Sequence, residues 1–151
     1  MPVPVIVDGY NLLRTRGEEF DAESRDRLVT DLVRWARARS RKVVLVFDAQ
    51  KGGTREAREI ARGPVTVYFT RAGELADTFI VRWVAARPEA VVVSSDREVQ
   101  RGASRRGAAV LDAETFAARL EGDGEDDAPP PAARRRGPRA RGAQAAWLRG
   151  L

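Results

Sequence analysis

The side chains able to do chemistry in this 151-residue chain are carboxylates. Asp8 and Asp48 each end a short β-branched run, Val3 to Val7 and Val43 to Phe47, and Asp96 follows Ala90 to Val93 after Ser94 and Ser95. Glu74 and Asp77 lie three residues apart, a spacing that puts both on one face of a helix. Carboxylates brought together repel one another unless something positive sits among them. A divalent ion relieves that repulsion, and ligands that are all oxygen suit Mg2+ or Mn2+, which keep several waters and bind phosphate oxygens. An ion of this kind activates water and stabilises the leaving oxygen of an in-line displacement at phosphorus. Phosphodiester hydrolysis is therefore the expected reaction, and the spacing leaves one metal or two open.

The composition removes the competing chemistries. There is no histidine and no cysteine, so Ser-His-Asp triads, Cys-His pairs, paired-histidine ribonucleases, His/Cys zinc sites and disulfides are all excluded. The chain carries 27 Lys plus Arg against 22 Asp plus Glu, a +5 balance that weakly favours a polyanionic partner. Arg71, Arg97 and Arg101 flank the expected acidic crevice and are candidates to grip a phosphate backbone, whereas Arg34, Arg37 and Arg41 belong to a solvated helix face. The apolar runs are far too short to span a bilayer, and the N-terminus lacks a charged start with a long apolar stretch. A cytoplasmic protein with no membrane partner is expected.

The acids need a scaffold, and the sequence describes one. Short runs at Val3–Val7, Val43–Phe47, Val65–Phe69, Ala90–Val93 and Ala108–Leu111 alternate with segments of helical period, which predicts an α/β domain with a central, mostly parallel five-stranded sheet. If the third, second, first, fourth and fifth runs lie in that spatial order, right-handed crossovers bring Asp8, Asp48 and Asp96 to one crevice beyond the carboxyl ends of neighbouring strands. One helix is expected to begin near Asp21, burying Leu28, Leu32 and Trp35 or Ala36. Another runs from about Glu74 to Arg87 with Leu75, Phe79, Ile80 and Trp83 inward, and Pro88 stops it. Gly52-Gly53 marks a mobile loop. The domain covers residues 1–121. Beyond it the composition turns acidic, then Pro-rich, then Arg-rich, so residues 122–151 read as a flexible tail in which Ala143–Leu151 has the pattern of a short helix.

Ile6-Val7-Asp8-Gly9-Tyr10-Asn11-Leu12-Leu13 resembles the opening motif of NYN domains, which are PIN-like nucleases with a three-layer fold. Val46-Phe47-Asp48-Ala49, Thr70-Arg71-Ala72-Gly73-Glu74-Leu75-Ala76-Asp77 and Val93-Ser94-Ser95-Asp96 continue the likeness in the order of the bacterial YacP-like branch, over roughly residues 3 to 120. The resemblance implies a metal-dependent endoribonuclease whose acidic site is Asp8, Asp48, Asp77 and Asp96, with Asn11 the signature asparagine. Thr78 stands where many relatives carry a further acid, which leaves the number of metal ligands open. RNA is the implied partner, an mRNA or a structured RNA, presented by the ribosome or free; the oligomeric state is open.

Each residue also has a plainer reading. Asp8-Gly9 makes a strand-ending turn, Asn11 and Asp96 cap helices, Asp77 and Glu74 favour a helix start, and Asp48 is a loop carboxylate. Tyr10 either stacks on a base or packs in the core. Ser94 and Ser95, beside Asp96, either fill a turn or hold metal-bound water, and Ser95 is also a candidate RNA contact. Two other function classes compete: a catalytically silent RNA- or ribosome-binding module of the same fold, and a receiver-like phosphotransfer switch. The switch calls for paired acids after the first strand and a lysine ending the fifth, where this chain has Asp8 alone and Leu111-Asp112. A DNA-cutting relative remains compatible with the acids, although the chain lacks obvious extra elements for threading a flap.

Overall fold

The computed structural model describes residues 3–49 and 58–122. In chain order these form β1 (Val5–Asp8), α1 (Gly9–Thr15), α2 (Ala22–Arg39), β2 (Val43–Phe47), β3 (Arg58–Arg62), β4 (Val65–Phe69), α3 (Ala76–Ala86), β5 (Val91–Val93), α4 (Arg97–Arg105), β6 (Ala109–Leu111) and α5 (Ala113–Glu121). The sheet order is β3-β4-β2-β1-β5-β6, parallel throughout except for antiparallel β3 at one edge. The five expected strands occur in the expected order, with β1 between β2 and β5.

Strand β1 is buried on both faces because helices cover both sides of the sheet. Val5 and Val7 pack with Leu12, Leu28 and Phe116 on one side, while Ile6 packs with Ile80, Val84 and Val99 on the other. The result is a three-layer α/β/α domain. Helix α2 starts where expected: the Asp21 side chain accepts from the Ser24 amide at 2.8 Å, and that bond holds the Asp21 carboxyl below its usual range.

The sixth strand corrects the five-strand expectation. Arg58-Glu59-Ile60-Ala61-Arg62 lacks the apolar alternation of a half-buried strand, because an edge strand needs only one inward anchor, here Ile60, and tolerates charge elsewhere. A two-residue turn, Gly63-Pro64, joins it to β4; Gly63 takes φ of 57° at the first central position, and proline's fixed negative φ suits the second. Two further expectations fail. Leu75 is 46% exposed because it precedes α3, whose apolar face begins at Ala76 and continues through Ile80 and Val84. Arg41 is buried rather than solvated, its Nη1 donating to the Val3 carbonyl at 3.0 Å. The expected Gly52-Gly53 loop and the tail beyond Gly122 lie outside the described residues. Among the described residues no helix is long and apolar enough to cross a membrane.

Candidate functional site

Four helices, α1, α3, α4 and α5, begin at the carboxyl edge of the sheet, so their partly positive N-termini face the same region. Asp8 ends β1 at the N-cap position of α1, half-buried, without a capping bond from its own side chain. Its Oδ2 instead accepts from Ser94 Oγ, 3.1 Å away across the β1–β5 boundary. Gly9 follows because nothing larger fits: a Cβ would lie 2.4 Å from the Phe47 ring and 2.8 Å from the Val46 carbonyl oxygen.

The segment Ser94-Ser95-Asp96 is fixed from several directions. Asn11, 8% exposed, accepts the Ser95 amide at 2.8 Å. Ser95 Oγ donates to Glu114 Oε1 at 2.6 Å and accepts the Ala113 amide at 2.9 Å, tying the loop after β5 to the start of α5. Ser94 Oγ accepts the Asp96 amide at 3.1 Å, and the Ser94 carbonyl accepts from Gln100 Nε2 at 2.8 Å. Asp96 Oδ1 caps α4, accepting from the amides of Glu98 at 2.8 Å and Val99 at 3.4 Å. Asp8 and Asp96 are thus linked through a single hydroxyl oxygen.

On the other side of β1, Asp48 is 4% exposed and its Oδ2 accepts from the Ala76 amide, the first of α3, at 3.3 Å. Thr70 Oγ1 locks the same junction by accepting the Ala49 amide at 3.0 Å and donating to the Glu74 carbonyl at 2.8 Å. Asp77 lies half-buried in the first turn of α3, in contact with Thr78 Oγ1 at 3.4 Å.

Some expected members stand apart. Glu74 pairs with Arg82 at 2.8 Å, a cation further along α3. Tyr10 is 2% exposed, stacked on Phe20 and tilted against Phe47, with its hydroxyl accepting from Arg25 Nη1 at 3.1 Å. Base stacking on Tyr10 is therefore replaced by a core role, since both ring faces are covered. Burial pushes the Tyr10 phenol above its ordinary pKa, with Arg25 opposing and the charge of Asp48 adding to the rise. Arg71, Arg97 and Arg101 are exposed at the carboxyl edge, Arg97 opening α4 and Arg101 one turn on.

Among the described residues no three carboxylates stand close enough together to hold a metal ion between them. The four acids share an edge of the sheet but not one cage, because Asp48 and Asp96 each turn an oxygen to a helix amide. The donor set, all oxygen with no imidazole or thiolate, still fits Mg2+ or Mn2+, since Mg2+ binds through one or two carboxylates and retains water.

Sequence reasoning passed over Ser94 as a partner of Asp8, Thr70 as a lock and Glu114 as an acid of this edge. Glu114 had a signal, for it stands in the first turn of the helix after the last strand, as Asp77 does in α3.

The chain is 21% identical to Rae1 (YacP) from Bacillus subtilis in the crystal structure of its W164L mutant, with a TM-score of 0.66, covering 99% of this chain and 92% of that one. Against the crystal structure of Rae1 (YacP) without that substitution the identity is 24% and the TM-score 0.66, over 92% of this chain and 81% of that one. These likenesses show the fold. No curated protein matches the chain. The family model of the YacP-like NYN domain matches residues 5–128. With that match spanning most of its length, including every strand and helix described above, the chain belongs to the YacP-like NYN domain family.

Proposed function

We propose that this protein is a divalent-metal-dependent endoribonuclease acting at the carboxyl edge of its sheet. The observation that carries this reading is that Asp48, Asp8 and Asp96 follow three adjacent parallel strands, β2, β1 and β5, beside four helix N-termini that favour an anion. Asp8, Asp48 and Asp77, with Asp96, are the residues that would hold Mg2+ or Mn2+. When bound, the ion supplies positive charge to the phosphate and acidifies water.

The chain's own groups do the remaining work. Ser94 Oγ orients the Asp8 carboxylate, and Asn11 holds the Ser95 peptide so that Asp96 keeps its place at the start of α4. Arg71, Arg97 and Arg101 supply guanidinium groups that bind RNA phosphates without reading sequence. Ser95 is engaged with Glu114 and Ala113 and acts as a positioning residue rather than as an RNA contact.

A second reading, a silent RNA-binding module of the same fold, is favoured by the separation of the carboxylates among the described residues. Manganese-dependent cleavage of a labelled mixture of structured and single-stranded RNAs, run beside Asp8→Asn, separates the two. Cleavage by the wild type alone, stopped by chelator, supports the nuclease. No cleavage with manganese binding that is lost in the variant points to a presenting partner such as the ribosome. Absence of both cleavage and metal binding leaves the silent module as the better account.

A further inference from the structure

Between α2 and the β3–β4 hairpin lies a cavity of about 340 Å³ that the proposed acidic site does not use. Its floor is apolar, formed by Phe47, Val67 and Phe69, and Val29 and Ile60 face each other across it. The volume falls at the lower end of the roughly 300–1,000 Å³ typical of small-ligand sites. The rim is cationic. The Arg25 and Arg58 guanidinium carbons stand 5.6 and 4.9 Å from the centre of the Phe69 ring, and Arg62 lines the cavity from β3.

Two like charges gathered over one ring repel, and they call for an anion between them. Among the described residues no carboxylate pairs with these arginines: Arg25 meets the Tyr10 hydroxyl, and Asp26, exposed at the rim, bonds to none of them. The lining reaches the carboxyl edge of the sheet, since Phe47 and Phe69 are the last residues of β2 and β4.

The partly exposed aliphatic walls Val29, Val33 and Ile60, rimmed by guanidinium groups, are complementary to a nucleobase with its phosphate attached; the Phe69 ring itself is 6% exposed, covered by Phe47 and the arginines. A base still stacked in a duplex cannot enter such a groove, so the ligand is single-stranded. We propose that this groove binds one unstacked base of the RNA beside the cleaved bond, with the adjoining phosphate between Arg25 and Arg58. The assignment rests on the endoribonuclease reading for its substrate class.

The test is anisotropy of a short labelled oligouridylate in the presence of chelator, with wild type, Arg58→Glu, Arg58→Gln and Arg87→Glu. Arg58 is an exposed edge-strand residue, and Arg87 follows α3, which covers the other face of the sheet, so Arg87→Glu repeats the charge change outside the lining of the groove. Arg58→Glu is expected to weaken binding roughly tenfold, as loss of a charged contact of about 1.4 kcal/mol requires. Arg58→Gln should lower the slope of log affinity against log salt by about 0.7, the value for one phosphate contact on a single strand. Arg87→Glu is expected to leave the affinity close to wild type. Equal weakening by Arg58→Glu and Arg87→Glu, no effect of either, or equal competition by polyglutamate would overturn the proposal.

Manganese-dependent cleavage by the same wild-type preparation and Asp8→Asn separates this failure from that of the nuclease reading. Unchanged binding by Arg58→Glu with cleavage lost in Asp8→Asn removes the groove alone. Weakened binding by Arg58→Glu with full cleavage by Asp8→Asn removes the acidic site alone. A wild type that binds no oligouridylate removes the groove and leaves the acidic site to the cleavage assay.

Discussion

Replacing Asn11 with alanine tests whether the loop that carries Ser94 and Asp96 is held from α1. Asn11 Oδ1 accepts the Ser95 amide at 2.8 Å from a nearly buried position, so the substitution strands that amide and leaves a small void. A stranded buried donor costs about 1–3 kcal/mol, and Ser95 is only half-buried, which places the expected loss near 1–2 kcal/mol. For a domain of this size that lowers the midpoint of thermal unfolding by roughly 3–6 °C. The direct readout is hydrogen exchange of the Ser95 amide, which should lose protection while the amides of α2 keep theirs. Asn11→Asp retains the acceptor and should restore protection, but it adds negative charge one turn from Asp8 and should slow cleavage. In the alanine variant kcat should fall with KM nearly unchanged, as expected of a positioning residue. Unaltered Ser95 protection in Asn11→Ala would refute the tether outright.

Gly9→Ala forces a Cβ to within 2.4 Å of a fully buried Phe47 ring and should cost about 1–3 kcal/mol or more, read as a lower urea midpoint; an unchanged midpoint would contradict the packing. Asp96→Ala should lose about 1 kcal/mol through its capping bonds to Glu98 and Val99, whereas Asp96→Asn should keep that stability and lose cleavage. Both tyrosines titrate above 10.0 in the folded chain, mainly because burial disfavours the phenolate. A raised folded pKa gives stability that is complete below the unfolded value and lost as pH rises through the folded one, so unfolding should be promoted above about pH 10. Tyr10→Phe should flatten that alkaline fall when stability is followed by denaturant titration at successive pH values, and an identical fall would discount Tyr10.

The strand-end acids and the order of five strands were legible because parallel strands buried on both faces are written as unbroken runs, such as Val43–Phe47 and Val91–Val93. The edge strand was not, since Arg58, Glu59 and Arg62 obscure the single anchor Ile60. Helix α2 was legible from Asp21 and the spacing of Leu28, Leu32 and Trp35. Leu75 was misread because periodicity does not locate the first turn of a helix. Within the site, the sequence named carboxylates but not their partners: Ser94 meets Asp8 and Ser95 meets Asn11 over separations of 86 and 84 residues. Tyr10 is buried by Phe20 and Phe47, and only the fold brings those rings together.

The plain and the chemical readings of these acids are not exclusive, and the structure indicates how to separate them. Asp96 caps α4 through Oδ1, and Asp48 supports the start of α3 through Oδ2. A carboxylate has about four lone-pair sites on two oxygens, so Asp96, which gives Oδ1 to two capping amides, keeps capacity on Oδ2 for a cation or a phosphate-bound water. The helix terminus that each of them caps also favours a negative charge there. Capping is therefore compatible with the proposed metal binding. Alanine removes both functions and cannot tell them apart. Asparagine keeps the bond to the helix amide and removes the charge, so a folded, RNA-binding, inactive asparagine variant at position 48 or 96 is the outcome that only the chemical reading predicts.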